Sequence, residues 1–362
     1  MRRWASGKAC CLTAILSGGV FACTDGETYT ALTDSKAESG LPAADDRNLP
    51  PASSGSALQA GAIVFRSDRD SEGGDLYLMA SDGSVVQRLT DRGGYWTPVW
   101  SPDGASIAFR QERGVDAAIG LVASSDDDPV ILVDDLDPEL IDELPIWSGD
   151  DLIYSSHEGG PDTDLWVVAR SGGQRHRLFD TPSGRRYEAD FSRMDARIAF
   201  IWSPEATRSS GFVPGKDLWV AAGGNDAAPE NLTEGRVYAP AGPRWSPDGT
   251  RIAFWGFARA ADGSPEGFGS HADGASPPDS DLFSIDVSTH ELTRLTDNDQ
   301  DDQTPAWTPD GKSLFFMSGR DGDEDIWKMP VDAPEQAVDL IDDADAPSSD
   351  IMPDCFWGLP AQ

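Results

Sequence analysis

The sequence predicts an all-β fold, a six-bladed β-propeller of four-stranded antiparallel blades whose C-terminal strand completes the N-terminal blade. Three observations carry this. An apolar triplet recurs as Ile63-Val64-Phe65, Ile107-Ala108-Phe109, Leu152-Ile153-Tyr154, Ile198-Ala199-Phe200, Ile252-Ala253-Phe254 and Leu314-Phe315-Phe316, with first residues 44, 45, 46, 54 and 62 apart. A turn of one kind precedes three of these triplets, and an Asp–apolar–aromatic run follows most of them. Self-similarity of this kind, four short strands per unit with no helical period between them, is the pattern of propeller blades.

Four units open on Pro-x-Trp, at Pro98 to Trp100, Pro145 to Trp147, Pro243 to Trp245 and Pro305 to Trp307. The tryptophans recur at strand positions, so packing between blades is their expected role. The turn follows as Ser101-Pro102-Asp103-Gly104, Ser246-Pro247-Asp248-Gly249 and Thr308-Pro309-Asp310-Gly311. In it Pro fixes φ at the first corner, Asp caps the local backbone, and Gly takes the positive φ that closes a hairpin. The triplet is the second strand. A third reads Asp75-Leu76-Tyr77, Asp164-Leu165-Trp166, Asp217-Leu218-Trp219, Asp281-Leu282-Phe283 and Asp325-Ile326-Trp327, and a fourth Arg88-Leu89-Thr90, Asn231-Leu232-Thr233 and Arg294-Leu295-Thr296. Unit two departs, with Ala118 and Gly120 where the others place Asp and an aromatic. Unit three shortens its first hairpin by two residues, an even change that keeps the same side chains facing inward.

The ends of the chain predict closure. With Pro-x-Trp innermost, the first unit starts at its second strand, and Asp350-Ile351-Met352-Pro353-Asp354-Cys355 supplies the missing one. That removes the open edge a broken ring would expose and puts Cys355 where other units place Trp.

Composition sets the class. The 362 residues carry 28 Lys plus Arg against 63 Asp plus Glu, a net charge of −35, with only 5 Lys among the bases. Phosphate backbones would repel such a chain, so nucleic-acid binding is excluded, and the acidic surface favours solubility as a monomer. Residues 1–22 hold Arg2, Arg3 and Lys8, then an apolar run too short to span a bilayer, and read as a secretion signal. Their removal takes the net charge from −35 to −38. Residues 23–60, rich in Ala, Ser, Asp, Pro and Gly, read as a flexible tether reaching roughly 30–35 Å. The propeller is expected over 61–358 and a short tail over 359–362.

Two resemblances refine this reading. Ala22 directly before Cys23 resembles the bacterial lipoprotein signal, which implies a lipid on Cys23 and a periplasmic or outer-membrane address, with the membrane met through that anchor alone. Cys355 would then be a lone buried thiol. The repeats of 61–358 resemble the TolB-like propellers, relatives of WD repeats. TolB-like propellers partner envelope lipoproteins, so the resemblance implies a protein ligand in the cell envelope. The N-terminal α/β domain of TolB itself has no counterpart before residue 62, so a relative is expected rather than the same protein.

Strands of a meander alternate in direction, so loops leaving the second strand and loops entering the innermost strand share one face. Long insertions fall only there, at Ile201 to Lys216 and Gly256 to Ser280, and loops on a rigid ring are where binding usually resides. That face also gathers Arg66, Arg92, Tyr95, Trp96, Arg110, Arg185, Arg186, Tyr187, Trp202, Arg236, Tyr238 and Trp255. Arg and aromatic side chains anchor interfaces, but these Arg residues could equally pair with nearby Asp.

For metals, Asp297, Asp299 and Asp301 alternate as calcium ligands do, but Thr308 stands where the twelfth-position Glu is needed. Four histidines, His157, His176, His271 and His290, show no metal spacing. No Gly-x-Ser-x-Gly elbow is present to serve a hydrolase. No cofactor and no catalytic residue is expected. The expected function is a non-enzymatic envelope scaffold, and the alternative is a carbohydrate-binding, hydrolase or lyase propeller using the mouth of the central channel.

Overall fold

The computed structural model describes residues 61–357 apart from 72, 85, 114–115, 125–128, 135–142, 157–162, 180–183, 204–214, 223–227, 261–278 and 342–347. The signal, the tether with Cys23, the tail, most of both insertions, His157 and His271 lie outside the described residues. Among the described residues, 24 strands form six four-stranded antiparallel sheets. Blade one begins with β1 (Ile63–Ser67), β2 (Asp75–Met79) and β3 (Gln87–Arg88). Blade two is β4 (Tyr95–Trp100), β5 (Ser106–Arg113), β6 (Asp116–Ala123) and β7 (Val130–Asp134). Blade three is β8 (Glu143–Ser148), β9 (Asp151–Ser156), β10 (Asp164–Ala169) and β11 (His176–Arg177). Blade four is β12 (Arg185–Phe191), β13 (Arg197–Ser203), β14 (Asp217–Ala222) and β15 (Glu230–Asn231). Blade five is β16 (Val237–Trp245), β17 (Arg251–Ala258), β18 (Asp281–Asp286) and β19 (Leu292–Arg294). Blade six is β20 (Asp302–Trp307), β21 (Ser313–Ser318), β22 (Asp325–Pro330) and β23 (Val338–Asp339). The last strand, β24 (Asp350–Cys355), returns to blade one in the order β24-β1-β2-β3.

The register explains the repeat. Trp100 pairs with Ile107, Trp147 with Leu152, Trp245 with Ile252 and Trp307 with Leu314, so the shorter hairpin of unit three does hold the same positions opposite each other. Cys355 pairs with Ile63 in the same way, occupying the tryptophan position. Ala118 pairs with Gln111 where Asp75 pairs with Ser67, the equivalent site in blade one. The insertions are narrower than their sequence suggests, since β13 continues to Ser203 and β17 to Ala258 before the chain leaves the sheet.

The core is divided between blades. Ile63 and Phe65 pack toward blade six, while Val64 packs toward blade two; both faces of the sheet are covered, which is why the triplets are apolar throughout. Six clusters result, one between each neighbouring pair of blades, including blades six and one. An open row of six sheets would have five such interfaces. Each large side chain so buried contributes roughly 1.5–3 kcal/mol.

Polar groups fasten blades one, four and five. Asp75 accepts hydrogen bonds from Thr90 Oγ1 (2.9 Å), the Gly93 N–H (3.0 Å) and Arg88 (2.7 Å), and Thr90 Oγ1 accepts the Leu76 N–H (3.0 Å). Asp217 repeats this with Thr233 (2.7 Å), Asn231 (3.1 Å) and the Gly235 N–H (2.6 Å), and the Leu218 N–H again donates to Thr233. Asp281 pairs with Arg294 at 2.7 Å and accepts from Thr296. The Asp of the third strand and the Thr and Arg or Asn of the fourth are therefore one clasp, closing the outer edge of the blade. Burial alone would raise the Asp75 carboxyl, but its donors outweigh that and hold it below the ordinary range. At Asp281 burial wins over Arg294, with Asp302 and Asp297 close by, and pushes its carboxyl up to about 6.

The Ser-Pro-Asp-Gly turns are built as the residue types require. Ser101 Oγ and the Ala105 N–H donate to Asp103, and Gly104 sits at φ +68°. Gly249 and Gly311 match it at +69° and +68°.

Candidate functional site

The Arg and aromatic candidates lie in the strands and turns on the side of the loop rim. Arg66 and Arg110 hold the same place in β1 and β5, Trp96 lies opposite Arg110, and Arg185, Arg186 and Tyr187 open β12 opposite Ser203, Trp202 and Ile201. Tyr95 opens β4, Tyr238 and Trp255 lie in β16 and β17, and Arg92 and Arg236 lie in the turns entering β4 and β16.

Most of these groups face protein rather than solvent. Arg66 is 6% exposed and its guanidinium lies 3.9 Å over the Trp96 ring, with Asp68, Glu324, Glu112 and Asp75 around it. Arg186, also buried, pairs with Asp164 at 2.9 Å and lies over the rings of Phe179 and Trp202. Tyr95 and Tyr187 are core residues, and Trp202 meets Trp219 edge-on at 4.7 Å. Trp96 Nε1 donates to Glu112 at 3.0 Å. Arg236 donates to the carbonyls of Leu232, Thr233 and His290, and Arg259 lies over Tyr238. Arg92 and Arg236 are exposed, and Trp96, Arg110, Trp202, Tyr238 and Trp255 are half-buried.

A cavity on this rim has a different chemistry. It holds about 440 Å³ between blades six and one, walled by Asp68, Asp301, Asp323 and Glu324 and floored by Met317, with Gln300, Ser348 and Ser349 beside them. Among the described residues its lining holds no Arg, Lys or His, and Arg66 lies near Asp68 and Glu324. The carboxylates are oriented by neighbours, Asp68 by the Ser349 N–H (2.8 Å), Glu324 by Ser349 Oγ (2.7 Å) and Asp301 by the Ser280 N–H and Oγ. A wall of four half-buried carboxylates suits a cationic group. Sequence reasoning missed it because the four come from connections far apart in the chain.

A second set of charges lines the central channel. Asp354, Val99, Asp190, Arg244 and Ala306, each the residue before a Trp position or its equivalent, ring a small void together with Arg193. Asp190 accepts the Trp245 N–H at 2.6 Å and Asp354 accepts the Trp100 N–H at 2.7 Å, each reaching into the next blade. The void beside them is about 40 Å³. Burial pushes the Asp190 carboxyl up to about 6 against the pull of Arg244 and the Trp245 N–H, with Asp354 adding to the rise, and burial raises Asp354 likewise. The indole N–H groups complete the lacing, Trp147 to the Val99 carbonyl, Trp245 to that of Asp190 and Trp307 to that of Arg244. Cys355 has no such donor. Trp357, two residues on, donates to the Trp307 carbonyl at 3.1 Å instead.

Above this ring every innermost strand carries a β-bulge. It places Thr97, Glu188, Thr304 and Met352 at φ between +36° and +58°, a conformation that costs non-glycine residues of order 1–3 kcal/mol each.

Of the calcium candidates, Asp297 pairs with Arg294 at 2.8 Å, Asp299 is exposed, and Asp301 lines the acidic cavity. The carboxylates that approach one another are Asp321, Asp323 and Asp325, with oxygens within 4.8 Å. Among the described histidines, His176 is exposed on β11 and His290 lies 3.2 Å from Glu230.

No family model matches the chain. Dipeptidyl-peptidase 5 of Porphyromonas gingivalis is 22% identical over 71% of this chain and 42% of its own length, so the chain spans less than half of that relative. Among solved structures, TolB from Acinetobacter baumannii superposes with a TM-score of 0.62 at 16% identity, covering 82% of this chain and 66% of that one. A TolB structure from Agrobacterium tumefaciens superposes with a TM-score of 0.53 at 14% identity, covering 84% of this chain and 100% of that one. Among the described residues no helix is long and apolar enough to cross a membrane. With six antiparallel sheets in a ring and the last strand closing the first blade, the chain is a six-bladed β-propeller, a fold it shares with these TolB structures.

Proposed function

We propose that the chain is a non-enzymatic, exported scaffold, lipid-anchored through Cys23, whose loop rim binds another protein of the cell envelope. The observation that supports this is the acidic cavity on the rim, where Asp68, Asp301, Asp323 and Glu324 converge on one opening between blades six and one. Such a receptor takes Lys or Arg side chains of a partner, and the surrounding surface supplies area. The likeness to TolB structures agrees with a protein ligand. The alternative, an anionic sugar or a reacting substrate at the channel mouth, has less to hold it: carboxylate walls repel an anion. The likeness to a dipeptidyl-peptidase keeps an enzymatic reading in view, with the ring as one part of a larger assembly.

Capture from an envelope extract by the ring without residues 1–60 tests the proposal. Asp323→Asn with Glu324→Gln removes charge from the cavity without changing its shape, and Trp96→Ala with Arg92→Ala alters the rim surface. Capture weakened at least tenfold by the first pair, and falling as salt is raised, is the expected result; capture unchanged by both pairs discards the assignment.

A further inference from the structure

Blade two breaks the rule that protects the other outer edges. In blades one, three, four, five and six the described outer strands are two or three residues long, and Arg88, Arg177, Asn231 and Arg294 stand in four of them against the Asp of the third strand. Blade two has Ala118 in place of that Asp, so no clasp forms. Its outer strand β7 runs five residues, Val130-Ile131-Leu132-Val133-Asp134. Val130 is 39% exposed and Ile131 and Leu132 are half-buried. Among the described residues no strand pairs with its outer side. Proteins ordinarily blunt a long apolar edge with charge or brevity, because its unpaired N–H and C=O groups template another strand.

Charge decides what can pair there. Asp126, Asp127 and Asp128 precede β7 in the sequence, and Asp134, Asp135 and Asp137 close it. A second copy of this chain, antiparallel or parallel, would bring acid against acid at both ends, on a protein of net charge −35. We infer that β7 is a strand-addition site for an extended segment of a partner protein, apolar at its centre and flanked by Lys or Arg. Main-chain hydrogen bonds supply the affinity and the flanking cations fix the position, as in other β-augmentation complexes. This edge lies at the blade rim, apart from the acidic cavity, and does not rest on it.

The probe is a short synthetic peptide of alternating Val and Thr between Lys pairs, offered to the ring and followed by amide hydrogen exchange and fluorescence anisotropy. Slowed exchange confined to 130–134, at least tenfold, is expected, together with loss of binding when the peptide is N-methylated at alternate residues. Val130→Lys, at an exposed position that leaves the fold intact, is expected to weaken binding at least fivefold, while Asp323→Asn with Glu324→Gln leaves it unchanged. Equal binding by the N-methylated peptide, protection elsewhere than β7, or a dimer formed through β7 would overturn the inference.

Discussion

The carboxylate of Asp354 accepts the backbone N–H of Trp100 at 2.7 Å, joining residues 254 positions apart. It ties the last strand of the chain to the second blade, just where the ring closes. Asp354→Asn retains an acceptor and is expected to melt within about 2 °C of the parent. Asp354→Val strands a buried donor and is expected to cost roughly 1–3 kcal/mol. Thermal unfolding followed by circular dichroism compares the two, and equal melting temperatures would show that the bond does not hold the closure.

Asp190 carries a pH dependence of defined sign. Its carboxyl is raised to about 6 in the folded ring, so its contribution to stability is full below about pH 4 and is lost as the pH rises through 6. Asp281 acts in the same direction. Asp190→Asn is expected to raise the melting temperature by about 2–4 °C at pH 7 and to leave it nearly unchanged at pH 4. Arg244, Arg193 and Asp354 share the site, so an equal effect at both pH values would assign the change to them.

Thr233 is completely buried, donates to Asp217 and receives the Leu218 N–H. Thr233→Val keeps the volume and removes both bonds, leaving Leu218 and Asp217 short of partners. A loss of roughly 1–3 kcal/mol is expected in urea unfolding with the slope unchanged. An effect below about 0.5 kcal/mol would mean the clasp is dispensable.

Cys355 reports on closure directly. Burial pushes its thiol well above the ordinary range, and it is 3% exposed between Ile63 and blade six. Labelling by a thiol reagent at pH 8 is expected to be at least 100-fold slower than in urea. Asp354→Val should speed it. Fast labelling of the native ring would place Cys355 at a loose end.

Much of this was legible in advance because a propeller writes its blades into the sequence. Trp100, Trp147, Trp245 and Trp307, the triplets and the turn glycines each occupy the place that their spacing assigns. Cys355 in a tryptophan position follows from the same register. The acidic cavity was not legible: Asp68, Asp301 and Glu324 meet only after the ring has closed. Nor was the fate of Arg66 and Arg186, whose exposure depends on a ring or carboxylate supplied by a neighbouring strand or blade. The sequence showed that unit two differs, but only the strand lengths reveal a bare edge there.

Closing blade one with β24 also orders events in time. While the polypeptide is still emerging from a ribosome, β1 has no inner neighbour, and the interface between blades six and one cannot form. The toroid therefore stays unlatched until Asp350–Cys355 has been delivered, so the last interface to form is the one that makes the ring continuous.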